Sequence, residues 1–338
     1  MAENFDFDRL VSRHGTGSYK WDSDADPDML PMWVADMDFM TAPAVIDALR
    51  RRVDHGIFGY VKVADSYYEA LGHWFASRHG WIIERSHVIY TSGVVPAVSA
   101  IIKALCRPGE GVITQTPAYN CFFSSIRNNG CRLAANQLVR TDTADGGFTF
   151  SIDFDGLEKL AEDPANTLLL LCNPHNPTGR VWTRDELERV ADICRRNGVT
   201  VVSDEIHCEL THPGYRYVPY ATVDPDCVAC CSPSKAFNIA GLQIANIVCR
   251  DADKLARIDR AINDNEVCDV NPFGPVALEA AYRHGAGWLA ALNAYLFDNY
   301  RLLREELRRR MPALKVCDSQ ATYLAWIDIS PLGMSSEA

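Results

Sequence analysis

The sequence predicts an α/β fold, a mostly parallel sheet with helices on both faces and a smaller α+β domain attached, and three observations lead there. Short apolar runs at 111–114, 131–138, 167–172, 200–203 and 227–231 alternate with helical patterns at 42–53, 66–78, 95–106 and 183–197, the layout of strands joined by crossover helices. Asn173, Asp204 and Ser232 each follow the end of one of these runs, and parallel sheets gather ligands at the carboxyl ends of their strands. A chain of 338 residues with 48% hydrophobic and 10% aromatic content can bury a full core and form two domains.

Along the chain, the N-terminal segment 1–50 is assigned to the small domain, which 286–338 completes, and 51–285 to the large one. The helix at 95–106 is placed by Val98, Ile101, Ile102 and Leu105, which share one face behind the turn Tyr90-Thr91-Ser92-Gly93. The polar stretch 141–147 reads as a surface loop. The run 168–172 reads as a buried strand ending in Asn173-Pro174-His175-Asn176-Pro177-Thr178-Gly179, where two prolines fix the backbone, and Thr183-Arg184-Asp185-Glu186-Leu187 then opens a helix. A long helical stretch at 288–310, followed by strands near 314–317 and 323–327, begins the small domain's C-terminal part.

The chemistry sits on the loops after these strands. Val201-Val202-Ser203-Asp204-Glu205 and the later Ser232-Pro233-Ser234-Lys235 supply a carboxylate and an amine. An amine that forms an imine and a carboxylate that keeps a ring nitrogen protonated suit pyridoxal 5'-phosphate, whose ring draws electrons from a substrate Cα. Alone, Lys235 reads as a solvated lysine and Asp204 as a helix cap. Asn176 projects an amide able to donate to the cofactor's phenolate oxygen. Ser92-Gly93-Val94-Val95 opens a helix whose unpaired N–H groups and dipole suit a phosphate, with the Ser232 hydroxyl in reach of the same group. Gln243 is neutral where many aminotransferases place an arginine.

With these motifs the chain resembles the fold-type I PLP-dependent transferase superfamily (aminotransferase class I/II), and within it the MalY/PatB group of cystathionine β-lyases, or cysteine-S-conjugate β-lyases. Asn4-Phe5-Asp6, Met32-Trp33-Val34-Ala35-Asp36-Met37-Asp38-Phe39, Phe58-Gly59-Tyr60, Thr116-Pro117-Ala118-Tyr119, Asp204-Glu205-Ile206-His207 and Ser234-Lys235-Ala236-Phe237-Asn238-Ile239-Ala240-Gly241-Leu242-Gln243 carry the resemblance, up to about Trp326. It implies that Lys235 holds the cofactor and moves the Cα proton, Asp204 pairs with the ring nitrogen, Asn176 binds the phenolate oxygen and Tyr119 stacks on the ring. Val94, Val95 and Ser232 would grip the phosphate. Tyr60 would reach the cofactor of a neighbouring subunit, making a homodimer. His207 falls near the ring, and a core-packed histidine is the other reading.

The implied activity is α,β-elimination on cystathionine or another cysteine S-conjugate, giving a thiol, pyruvate and ammonia. An aminotransferase is the alternative enzyme, and a catalytically silent cofactor-binding or interaction module the alternative of another class. The family continues beyond Ser335-Ser336-Glu337-Ala338 with an arginine that clamps the substrate carboxylate. No upstream arginine matches it, so the sequence reads as C-terminally truncated, with weak amino-acid processing expected of it as it stands.

Composition excludes other classes. A net charge of -11 argues against nucleic acid, and Arg301, Arg304, Arg308, Arg309 and Arg310 alternate with Glu305 and Glu306 as a solvated helix face. No apolar run has spanning length and the start 1–8 is too polar for a signal peptide, which points to a cytoplasmic enzyme with no membrane partner. The 12 cysteines lie mostly in apolar segments and read as buried reduced thiols; Cys227-Val228-Ala229-Cys230-Cys231 has no second ligand pair, so no metal is expected.

Overall fold

The computed structural model describes residues 5–23, 29–264, 266 and 269–334; Asn4, Cys268 and 335–338 lie outside the described residues. In chain order the elements are α1 (Pro43–Asp54), α2 (Asp65–His79), β1 (Val88–Thr91), α3 (Val94–Leu105), β2 (Gly111–Thr116), α4 (Asn120–Asn128) and β3 (Arg132–Gln137). Then follow β4 (Val139–Asp142), β5 (Phe148–Ser151), α5 (Phe154–Ala161), β6 (Asn166–Cys172), α6 (Arg184–Arg196), β7 (Thr200–Asp204), β8 (Val228–Cys231) and β9 (Ala245–Val248). The chain continues through α7 (Ala252–Asn263), α8 (Gly274–His284), α9 (Ala286–Arg310), β10 (Lys315–Val316) and β11 (Ile327–Asp328).

The main sheet has seven strands in the order β1-β9-β8-β7-β6-β2-β3. From β3 to β8 neighbours run parallel, and β9 runs antiparallel to both β8 and β1. The mostly parallel sheet is therefore as predicted. Parallel strands covered on both faces need apolar residues at successive positions, and β6 supplies Leu168, Leu169, Leu170 and Leu171, all buried. Leu168 and Leu170 join Val98, Ile101 and Ile102 of α3 on one face, while Leu169 and Leu171 pack with Leu187 and Val190 of α6 and with Trp182 on the other. Each fully buried leucine contributes roughly 2 kcal/mol.

Register brings the reactive loops to one edge. Asp204 sits opposite Cys172 on β6 and Cys230 on β8, so the loops after all three strands leave the sheet side by side. The loop after β6 returns into α6 through a capping box: Glu186 N donates to Thr183 Oγ1 (3.2 Å) and Thr183 N to Glu186 Oε2 (2.7 Å). Gly179, at φ +71°, lies against Ser319, and a Cβ there would collide with that side chain and stand 3.0 Å from the Ala321 carbonyl. The loop after β6 and the 319–321 segment can pack this closely only with glycine.

Two sequence expectations change. Of 323–327, expected as a strand, only Ile327 pairs, because Thr322 takes φ +73° and its Oγ1 accepts from Leu324 N (3.1 Å), turning the chain out of extended geometry. The stretch 141–147, expected as a loop, begins inside β4, which pairs with β5; only the turn closed by Thr143 N to Gly147 O (3.0 Å) is loop.

Candidate active site

Lys235 follows β8 by way of Ser232-Pro233-Ser234, and a turn held by Phe237 N to Pro233 O and Ile239 N to Ser234 O (both 2.9 Å) turns it back over the sheet edge. Its Nζ donates to the Ala35 carbonyl at 2.7 Å. Burial lowers its pKa, against the pull of the Asp36 and Asp204 charges, so the neutral, nucleophilic amine is favoured relative to a solvent-exposed lysine.

Asp204 ends β7. Burial pushes its carboxyl up to about 7, opposed by the Ile206 N–H, which donates to Oδ1 at 3.1 Å, and by the Lys235 charge. The contrast with its neighbour is informative. Glu205, also buried and pushed up to about 7, accepts from the Tyr217 hydroxyl, from Tyr220 N (2.8 Å) and from Ser203 Oγ (2.9 Å). Glu205 is thus satisfied by the fold, whereas among the described residues Asp204 receives only the one turn-closing bond. A buried carboxyl so poorly partnered is suited to a cationic ligand.

Both Lys235 and Asp204 line one cavity of about 210 Å³, together with Asn176, Tyr119, Val94, Val95 and His207. Asn176 is set by Cys172, whose Sγ accepts from Asn176 N (3.4 Å) and approaches the Pro174 carbonyl at 3.2 Å. Tyr119, immediately before α4, has its phenol pushed up by burial and the neighbouring Cys121. Val94 and Val95 are the first residues of α3, whose first intrahelical bond is Ala97 N to Gly93 O (3.0 Å), so their own N–H groups have no carbonyl inside the helix. His207 is buried with Nδ1 unpartnered, and burial with the nearby Lys235 charge pushes its imidazole down to about 3, keeping it neutral.

Two predicted residues do not line this cavity, one of them, Tyr60, having been expected at a neighbouring subunit's cofactor. Ser232 does not line the cavity: its hydroxyl donates to Ile244 O at 2.5 Å and accepts from Ser234 N at 3.0 Å, which holds the lysine loop together. Ser234, two residues on, takes its place on the wall. Tyr60 is 96% exposed and outside this cavity. Ala35, Cys172 and Ser234 were not singled out from sequence; small side chains and backbone carbonyls carry no signal until the chain is folded. A wider cleft of about 570 Å³ between α1 and α8 contains none of the predicted residues.

The cavity fits pyridoxal phosphate. It presents an amine, a buried carboxyl short of partners, an aromatic ring, an amide and free N–H groups at a helix start, where a phosphate is stabilised. The chain matches the family aminotransferase class I and II over residues 27–338. It is 40% identical to cystathionine β-lyase PatB of Bacillus subtilis, covering 97% of this chain and 86% of that protein. It is 38% identical to protein MalY of Escherichia coli, over 99% and 86%. The crystal structure of cystalysin from Treponema denticola, which contains a pyridoxal 5'-phosphate cofactor, superposes with a TM-score of 0.94 at 33% identity, over 99% of this chain and 86% of that one. The chain therefore belongs to the aminotransferase class I and II family. Within it, the likeness to PatB and MalY places it with the MalY/PatB group.

Proposed function

We propose that the protein is a pyridoxal phosphate-dependent carbon–sulfur β-lyase that converts cystathionine or another cysteine S-conjugate into a thiol, pyruvate and ammonia. The carrying observation is the pairing, in one cavity, of a lysine whose pKa burial lowers with a buried, under-partnered aspartate, in a chain whose relatives include a cystathionine β-lyase. Bound pyridoxal phosphate supplies an electron-withdrawing ring that acidifies a substrate Cα–H.

The chain's own residues do the rest. Lys235 Nζ, its pKa lowered by burial, would hold the cofactor and would be placed to remove the substrate Cα proton. Asp204 would pair with the ring nitrogen and keep its proton by charge. Asn176 would donate to the phenolate oxygen, and Tyr119 would cover a ring face. The Val94 and Val95 amides would bind the phosphate, with the Ser234 hydroxyl on the wall in the part first expected of Ser232. Neutral His207, whose Nδ1 has no partner among the described residues, would border the ring as a hydrogen-bonding partner.

When one sample is followed for thiol, pyruvate and new amino acid, thiol and pyruvate are expected to appear in equal amounts. They should do so far faster than amino transfer to an added 2-oxo acid. A new amino acid formed without thiol would assign the protein to the aminotransferases instead.

A homodimer in the cytoplasm completes the reading. Ile57, Phe58 and Tyr60 are exposed at 67%, 53% and 96%, an apolar face suited to a second copy, and the described cysteines are free, as reduced compartments keep them. Tyr60→Phe is expected to weaken cofactor binding about tenfold, the value of one lost hydrogen bond to a charged group, while leaving sedimentation as a dimer unchanged. Unaltered cofactor affinity would remove Tyr60 from the site.

A further inference from the structure

Three distant parts of the chain meet at one backbone carbonyl above the lysine. Ala35 O accepts from Lys235 Nζ at 2.7 Å and from the Tyr323 hydroxyl at 3.0 Å, which uses both of its lone pairs. The segment bearing Ala35 is clamped by Asn238, three residues beyond the lysine. Asn238 Oδ1 accepts from Met37 N (3.0 Å), and Nδ2 donates to Met37 O and Phe39 O (both 2.8 Å). Asn238 adopts φ +53°, a left-handed conformation that asparagine tolerates better than most residues, and this belongs to the turn that carries Lys235. From the outer side, Arg13 pairs with Asp36 (2.7 Å) and Asp38 (2.8 Å), and Lys20 with Asp38 (2.9 Å).

We infer that Tyr323 and Asn238 are positioning residues that hold the Ala35 carbonyl as the orienting acceptor of the free Lys235 amine. A neutral amine has two N–H bonds and one lone pair. Giving one N–H to Ala35 O fixes the head group and leaves the lone pair for the cavity, which Ala35 also lines. Long lysine side chains otherwise sample many rotamers, so an orienting acceptor raises the fraction of encounters that react. The inference rests on the cofactor reading above. Capture forms a carbon–nitrogen double bond between Lys235 Nζ and the aldehyde carbon of pyridoxal phosphate; the carbon–oxygen bond breaks, and the aldehyde oxygen leaves as one water carrying both amine hydrogens. The carbonyl orients the amine and takes no part in the bond change.

The test uses the full chain stripped of cofactor. Uptake of pyridoxal phosphate onto Lys235 is followed by visible absorbance in the parent, Tyr323→Phe and Asn238→Gly. Glycine keeps the left-handed backbone at 238 while removing the clamp, and phenylalanine keeps the ring at 323 while removing the donor. Each variant is expected to slow capture about tenfold, the size of one oriented hydrogen bond. The same substitutions are then placed in a Lys235→Ala background, where cofactor binds without a covalent bond. There the dissociation constant, read by fluorescence, is expected to stay within about twofold, because the carbonyl acts only through the amine. Equal losses in both backgrounds would show that the two residues merely shape the cavity and would overturn the inference, as would unchanged capture in Tyr323→Phe. Failure of the parent itself to take up pyridoxal phosphate would sink the functional reading and this inference with it, and it is distinguishable because it needs no variant.

Discussion

Lys235→Ala is expected to lower pyruvate release from a cysteine conjugate by about 10²- to 10⁴-fold, the scale on which a positioned proton-transfer group contributes. No other lysine or histidine replaces it: among the cavity residues the remaining basic side chain is His207, whose imidazole is pushed down to about 3 and whose unpartnered nitrogen is a weak base. Borohydride treatment of the cofactor-loaded parent should fix the cofactor to the peptide containing Lys235, as peptide mapping by mass spectrometry would read. Label on any other lysine would remove Lys235 from the role. The fold should survive the substitution, since among the described residues the side chain makes one hydrogen bond, to Ala35 O, and the turn around it is held by backbone bonds.

Asp204→Asn is expected to stabilise the cofactor-free protein while nearly abolishing chemistry. The carboxyl is raised from 3.8 to about 7 by burial, so between those values the folded chain holds a proton that the unfolded chain has lost. Stability from this group is therefore complete below about pH 4, falls as pH rises to about 7 and is flat beyond, a total of about 4 kcal/mol. Asparagine carries no such charge and can still accept from Ile206 N, so urea unfolding at pH 8 should show the Asp204→Asn variant to be the more stable by a few kcal/mol. Glu205, raised in the same direction, remains in the variant, so part of the pH slope persists. Meanwhile Cα deuterium exchange in the loaded variant should fall by about 10³-fold, because a neutral amide does not hold a protonated ring nitrogen by charge. Near-parental exchange, or equal stability at pH 8, would reduce Asp204 to a turn-closing residue.

Long periodic elements were legible. The helices expected at 42–53, 66–78, 95–106 and 183–197 are found at Pro43–Asp54, Asp65–His79, Val94–Leu105 and Arg184–Arg196, since a repeated apolar face leaves one way to bury it. The short strands at 111–114, 167–172, 200–203 and 227–231 were legible as well, but β1 and β9 were not. β9 has four residues with Asn246 among them, and that polar position is tolerated because the buried amide accepts the Tyr67 hydroxyl at 2.7 Å. Such a strand is recognisable only once its partners are in place.

The sequence by itself determined the mostly parallel sheet, the order of its reactive loops and the placing of Lys235, Asp204 and Asn176 on them, because strand ends, proline-braced loops and ionisable side chains are local properties of the chain; Tyr119 followed from the family resemblance. The tertiary structure alone decided which hydroxyl faces the cavity. Ser232 and Ser234 are chemically alike, but the Ser232 hydroxyl is bonded to the Ile244 carbonyl, just before β9, and to Ser234 N, while Ser234 stays on the wall. It also decided that the lysine is met by a backbone carbonyl from a segment 200 residues away, which is itself held by a tyrosine 288 residues from it. Backbone carbonyls are the same at every position, so their selection as partners depends on packing between elements and leaves no mark in residue type.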